Sequence, residues 1–524
     1  MKNILSYLFA VSILFMMAGC GDAVVDLQPK DQFTTDVALS TLDGLEGAIY
    51  GVYERGRNVL ESNDVSVYQS CQTDLVKAGT NLSDQAPLRA IFSLDYQFNG
   101  SLTQLASVFD GYYIGLNRAN LIIDGIDNLA LDNPTDVQIA RRDQVLGEAY
   151  FFRAYYHYLL GVRWENIVLA LSSKVDPNAP VELSGPDVVF PLIITDLLKA
   201  VDLLPESAVV NSTGRASKGV ARHVLSKVYL YTGEWAKAAE MAELVINDPA
   251  YKLQDNLRDI FSITNQENDE ILFAWQFSYN DNSHPQRVSH QWYPLYDRVE
   301  GVARTLEQGA RPWSRLVPSD YYWTLFDEND KRLEAWHKRI WYYDSETELA
   351  ARLDIPASGI QLGDPVTADN VGSAAGFGMS AVLPTTDKFR EDSDVLGKTL
   401  DAAEGYRNIP VYRLSEAYLV AAEAYWRSGN TGKGLEFLNV LRKRAGVSEF
   451  TTIDQDIILD EQARELGHEG HRWEMLKRMG VLVERVRAHN PEAGANIQDY
   501  HVRYPLPRTL VDLTKVPQNE GYAE

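Results

Sequence analysis

Positive charge, cysteine and long apolar runs are all scarce in this chain, and each shortage removes a class of function. Against 73 Asp and Glu stand only 49 Lys and Arg, a net charge of −24. Affinity for nucleic acid comes mainly from cations that neutralise phosphate, so nucleic acid is excluded as a partner. The 2 cysteines are Cys20 and Cys71. They are too few for a disulfide framework, and Cys71 reads as a small buried hydrophobe instead of a nucleophile. Beyond the first twenty residues no apolar stretch reaches the roughly 18 residues that a membrane-spanning helix needs. Catalytic signatures are missing too. No G-x-S-x-G elbow occurs, and His468-Glu469-Gly470-His471 has its histidines one residue too close for a zincin, with no third ligand. That tetrapeptide is expected to make structural hydrogen bonds. Gly372 to Gly378 is glycine-rich, but no strand leads in and no helix follows, so it reads as a loop and not a nucleotide cradle. Carboxylate pairs for glycoside hydrolysis cannot be read from a linear chain. The expectation is therefore a protein without catalytic residues, metal or cofactor.

What is present begins with a leader. Lys2 precedes an apolar stretch from Ile4 to Met17, the pattern of a secretory signal peptide spanning residues 1–19. Met17-Ala18-Gly19-Cys20 follows and resembles the lipobox of bacterial lipoproteins, in which the cysteine is acylated. Each buried methylene adds roughly 0.8 kcal/mol, so two or more acyl chains hold a protein at a membrane surface. Residues 20–524 are expected to be a tethered body.

Three segments share one ruler when aligned on a glycine: Gly147 to Gly161, Gly219 to Gly233, and Ser415 to Gly429. Each carries an early alanine (Ala149, Ala221, Ala417), then a small residue (Ala154, Ser226, Ala422), then a large ring (His157, Tyr229, Tyr425). After the turn, Ala238 and Gly434 keep the returning helix small where it crosses the first, whereas Asn166 departs from the pattern. These are degenerate tetratricopeptide-like hairpins, expected around 142–170, 215–247 and 411–445. Their uneven spacing leaves room for an insert, 250–405, richer in Pro, Gly, Asp, Asn and aromatics. Ala357 to Thr386 within it reads as loop.

Along nearly the whole mature chain, ordered motifs resemble the SusD/RagB family. They are Leu116-Asn117-Arg118-Ala119-Asn120; Glu148-Ala149-Tyr150-Phe151-Phe152-Arg153-Ala154; Gly214-Arg215-Ala216; Arg413-Leu414-Ser415-Glu416-Ala417-Tyr418; Glu469-Gly470-His471-Arg472-Trp473; and Gln518-Asn519-Glu520-Gly521-Tyr522. The resemblance implies one mostly α SusD-like fold, with TPR-like hairpins as scaffold and a loop-rich ligand-facing side. It implies a non-catalytic lipoprotein at the outer membrane, facing the exterior, that serves a SusC-like TonB-dependent transporter. The ligand it implies is a glycan, or a peptide as in RagB-like members; a surface glycoside hydrolase is the third reading. The aromatic insert tilts the choice to glycan, since sugar C–H faces stack on flat rings.

Of the tryptophans in the insert, Trp323, Trp336 and Trp341 sit in apolar or amphipathic runs and read as core. Trp292, Tyr293 and Tyr296 follow the polar stretch Asn280 to Pro285 and are broken by Pro294, which suggests a surface loop; Trp313, behind Arg311-Pro312, is similar. A second loop, Thr73 to Gly100, offers Asp74, Asn81, Tyr96 and Asn99. The two loops are expected to converge on a ligand, the rings stacking and the polar groups bonding hydroxyls.

Anchoring gives the first test. Cys20→Ala is expected to release the protein from the membrane fraction, and the wild-type N-terminal peptide is expected to carry a diacylglycerol by mass spectrometry. A soluble, unmodified wild-type protein would sink the lipobox assignment.

Overall fold

A computed structural model describes residues 39–522, apart from 63, 83–85, 130, 175, 177, 208–213, 282–283 and 352–358. Cys20 and the leader, Asn282 and Ser283 of the polar stretch, and the start of the loop that begins at Ala357 lie outside the described residues. The frame is built from helices α1 (Leu42–Arg57), α2 (Ala86–Ser93), α3 (Thr103–Gly125), α4 (Asp136–Trp164), α5 (Pro186–Leu203), α6 (Lys218–Thr232), α7 (Trp235–Ile246), α8 (Leu414–Arg427) and α9 (Thr431–Ala445). Then come α10 (Gln455–Leu466), α11 (Arg472–Arg478), α12 (Leu482–His489) and α13 (Arg508–Thr514). No helix among the described residues is long and apolar enough to cross a membrane.

The helices stack in one continuous file: α1 on α3, α3 on α4, α4 on α5, α5 on α6, α6 on α7, α7 on α8 and α8 on α9. A helix clasped on two sides needs apolar or small residues nearly all round, not along one stripe. So it is in α8, where Leu414, Ala417, Val420, Ala421, Ala422 and Ala424 are all buried. Close approach is set by small residues. A Cβ on Gly434 would lie 2.8 Å from the Ala422 carbonyl oxygen, and Ala238 is fully buried. Gly233 and Gly429 turn their hairpins in left-handed backbone, φ 80° and 84°, where a side chain would be strained.

The first hairpin differs from the reading of its sequence. Gly161 is no turn; α4 runs straight through it to Trp164, and the returning helix α5 starts only at Pro186. Thr135 and Gln138 form a capping box that starts α4, and Glu165, at φ 69°, ends it. Gly161 is small because Val189 packs there, 3.3 Å from where its Cβ would be.

Short strands join the stretch between α7 and α8 to itself and to the segment that precedes α2. β1 (Val76–Ala78) pairs antiparallel with β3 (Leu316–Pro318), β2 (Ile271–Trp275) with β6 (Ile409–Arg413), and β4 (His337–Lys338) with β5 (Thr385–Thr386). The insert has its own small core around Tyr293, Tyr296, Val299, Val302, Trp341 and Tyr343. Trp336 and Trp341 are buried and Trp323 is half-buried against the main core. Cys71 is fully buried, its Sγ 3.0 Å from the Val67 carbonyl.

A buried charge network ties insert to frame. Arg413 reaches Glu270 at 2.7 Å, Glu465 at 3.3 Å and Glu469 at 2.7 Å; Arg332 reaches Asp330 at 2.8 Å, Glu461 at 2.8 Å and Glu465 at 3.2 Å. Arg444 bridges Glu270 and Glu465, and Lys388 reaches Glu469 at 2.6 Å. Burial alone would raise the pKa of Glu465, but Arg444, Arg413, Arg332 and Lys388 hold it well below the usual carboxylate range. Removing one member strands its partners in a medium of low dielectric. Glu465→Ala is expected to cost about 3–5 kcal/mol in urea unfolding; a change under about 1 kcal/mol would show that the network contributes little.

Acid should weaken the fold through its buried histidines. The neutral ring of His157 donates from Nδ1 to the Arg153 carbonyl at 2.9 Å and accepts the Ala170 N–H at Nε2, 3.3 Å. Burial lowers its pKa from 6.5 to about 4. The unfolded chain therefore takes the proton first, and stability present above pH 6.5 is lost as pH falls to about 4. The shift corresponds to roughly 3 kcal/mol. His501, also lowered to about 4 by burial, acts in the same window. The melting temperature should fall across that window, and His157→Gln should flatten part of the fall.

Candidate functional site

The loop from Leu94 to Ser101, between α2 and α3, is shaped by its own polar side chains. Asp95 accepts the Gln97 N–H at 2.9 Å and the Ser93 hydroxyl at 3.1 Å. Asn99 donates to the Tyr96 carbonyl at 3.1 Å and accepts the Ser101 N–H at 2.9 Å. Phe98 is buried edge-on against Tyr504, ring centres 5.5 Å apart, and anchors the loop. Gly100 lies so close to Leu506 that a Cβ would sit 2.4 Å from its carbonyl oxygen. With Phe98 turned in, Tyr96 turns out and is 87% exposed.

The opposite wall comes from the end of the chain. Trp164 donates to the Pro505 carbonyl at 2.9 Å, and Asn519 donates to the Trp164 and Tyr504 carbonyls, each at 2.8 Å. These bonds lay the segment 496–522 beside the 94–101 loop, where Asn496 closes on the Ser93 carbonyl at 2.8 Å. Tyr500 packs edge-on against Tyr522 and fits only beneath a glycine, since a Cβ on Gly521 would lie 2.2 Å from its ring. Between the walls is a groove of about 520 Å³ whose lining includes Tyr96, Asn99, Asn496, Gln498, Tyr500 and Arg508. It combines flat rings with amides and hydroxyls, the surface a polyhydroxylated ring needs: apolar faces to stack and directional groups for its oxygens.

Of the residues expected at a ligand site, Tyr96 and Asn99 line this groove and the others lie elsewhere. The surface placement of the aromatic cluster requires correction. Trp292 is buried between Phe389 and His468, and Thr385 donates to its carbonyl at 2.6 Å. Tyr293 is buried with its hydroxyl 3.3 Å from Asp387. Tyr296 stacks on Trp341 at 4.6 Å and donates its hydroxyl to the Ala310 carbonyl. Pro294 and the polar stretch before it suggest a loop, but the loop folds inward, Trp292 into the main core and Tyr293 and Tyr296 into the insert's own. Trp313 is half-buried, with the guanidiniums of Arg311 and Arg315 each 4.9 Å from its ring centre.

Asp74 is likewise not on the surface. It is fully buried in a two-pronged pair with Arg472, at 2.8 and 2.6 Å. Asn81 is exposed, and its N–H bonds the Ser314 carbonyl at 3.1 Å. The expected convergence is therefore half present. The 74–82 end of the Thr73 to Gly100 segment meets the 313–319 segment through β1 and β3, while its 94–101 end meets the C-terminal segment. Asn496, Gln498, Tyr500, Arg508 and Asp512 were missed; the polar and aromatic run Asn496 to Tyr500 was their only local signal. His468 and His471 are separate framework elements: His468 packs on Trp292 and Tyr322, and His471 lies 3.5 Å from Glu416.

The SusD family model matches residues 265–520, and a second, described as starch-binding and associating with the outer membrane, matches 63–230. The chain belongs to the SusD family. A SusD-like protein of Bacteroides ovatus is 24% identical over 496 residues, covering 90% of this chain and 82% of the relative. The starch-binding protein SusD of Bacteroides thetaiotaomicron is 27% identical over 358 residues, 59% of this chain and 61% of that one. Among solved structures, a laminarin-binding SusD-like protein superposes with a TM-score of 0.74 at 23% identity, over 92% of this chain and 99% of that one. Surface glycan-binding protein A from Bacteroides thetaiotaomicron, in complex with laminarihexaose, gives 0.71 at 18% identity, over 91% and 99%. These likenesses establish the SusD fold for this chain.

The corrected aromatic cluster makes a stability prediction. Trp292→Ala should cost about 3–5 kcal/mol, as large core truncations do, whereas Tyr96→Ala should leave the melting temperature nearly unchanged. Thermal melts of the two variants decide it, and the reverse ranking would refute both placements.

Proposed function

We propose that this SusD-family chain is a non-catalytic surface lipoprotein, held by acylated Cys20, that captures a glycan in the groove between 94–101 and 496–522 and delivers it to a SusC-like TonB-dependent transporter. The observation that carries the reading is the Tyr96 ring, 87% exposed at the edge of an amide-lined groove. With Phe98 buried and anchoring the loop, the face of the Tyr96 ring is open to stack on a sugar. Asn99, Asn496 and Gln498 supply donors and acceptors for hydroxyls. The glycans bound by the structural relatives, laminarin and laminarihexaose, support the same class of ligand here. On this reading the file of hairpins faces the transporter barrel, and exposed Val188, Leu198 and Leu244 on α5 and α7 are the apolar contacts it would use.

The test is calorimetry of the protein against a panel of soluble glycans and peptides. Binding of a glycan is expected, with Tyr96→Ala losing about 2 kcal/mol, roughly thirtyfold. Retention of peptides alone, or normal glycan binding by Tyr96→Ala, would overturn the assignment. New reducing ends that follow the purified protein would overturn its non-catalytic character.

A further inference from the structure

The charges of the groove go beyond the class of its ligand. The charged side chains lining it are Asp95 on one wall and Arg508 and Asp512 on the other. Arg508, the cation of the set, has its Nε 3.3 Å from the Asp512 carboxylate within α13. Asp95 is engaged by Gln97 and Ser93, which fixes its negative charge beside Tyr96. The nearby cation Arg503 is divided between Glu165 at 3.5 Å and Glu520 at 3.8 Å. Around all of this the chain carries a net charge of −24.

We infer that the groove selects uncharged glycans and rejects those bearing carboxylate or sulfate. Sites that hold an anion offer an arginine fork or several uncompensated cations to it. Here the one lining guanidinium has its Nε beside the Asp512 carboxylate, which offsets part of its charge, and Asp95 repels an entering anion from across the groove. A groove of this size lies within a Debye length, about 8–10 Å at ordinary ionic strength, so both carboxylates act on every ligand in it. The surplus acidity of the chain slows the approach of a polyanion for the same reason. Neutral hydroxyls meet no such opposition, because the amides of Asn496 and Gln498 and the Tyr500 hydroxyl bond to them without displacing a charge. Rejection by misplaced charge is as much a specificity device as attraction.

The inference rests on the glycan reading, and the experiment separates the two. The full chain in detergent is titrated at about 20 mM and 200 mM salt with uncharged polysaccharides (laminarin, starch, xyloglucan, mannan) and charged ones (alginate, pectate, carrageenan, chondroitin sulfate). At least one uncharged glycan should bind, with little dependence on salt, while the charged ones bind at least about tenfold more weakly at low salt. In the double variant Asp95→Asn/Asp512→Asn, the ratio of charged to uncharged affinity should rise about tenfold at low salt and fall back at high salt. Wild-type binding of a charged glycan equal to or tighter than any uncharged one, lost in Tyr96→Ala, would overturn the inference and leave the glycan reading standing. An unchanged ratio in the double variant would overturn the roles of Asp95 and Asp512. Failure to bind any member of either set would overturn both readings.

Discussion

Much of this molecule hangs on one carboxylate. Glu465, at the end of α10, is fully buried and shared by Arg332 from the insert, Arg413 at the end of β6, and Arg444 near the end of α9. These three come from different parts of the chain, and no hydrophobic contact would fix their directions as closely as paired, charge-assisted bonds do. Such a network adds little net stability over an apolar core, because desolvating the ions offsets most of their attraction. What it supplies is definition: an insert of irregular loops can sit on the helical frame in one way, since any other leaves buried charges unmatched.

The frame explains why a long insert is tolerated at all. In space, α7 packs directly against α8, so the file of helices is unbroken although the sequence between them is interrupted. Each helix is judged by its neighbours and not by the length of chain that connects it to them, as in other helical stacks. Loop closure grows only slowly in cost with length, so the interruption weighs little beside the interface it spans.

The same logic decides what could be read from the sequence. Gly233 and Gly429 were legible as turns because a left-handed residue is a local demand, and Gly434 because close helix crossing leaves a local mark. Gly161 misled, since a glycine required for packing against Val189 looks the same as one required for turning. The surface position of Tyr96 was legible because 94–101 stays a loop, although the rest of the Thr73 to Gly100 segment forms β1 and α2. Trp292 and Tyr296 were not, because their burial depends on Trp341 and Phe389, which arrive from distant stretches of chain. Asp74 was hidden most thoroughly: its partner Arg472 lies 398 residues away, and nothing near Asp74 announces it.

The groove inherits its rigidity from that long-range order. Its C-terminal wall is fixed at the last turn of α4, where Arg163 and Trp164 bond the Tyr504–Pro505 backbone and the Tyr504 hydroxyl. Arg163 is itself clamped over the Trp473 ring at 4.4 Å, on the helix that also carries Arg472 and so holds the 74–82 segment. The Tyr96 loop is then pinned to this wall by Phe98 and Gly100. A ligand meeting such a surface has little of the protein left to order, and the entropy that an adaptable loop would lose on binding has already been lost in folding. A wall held this way has little freedom to rearrange around its guest, so the ligand must fit the rings and amides where folding has placed them.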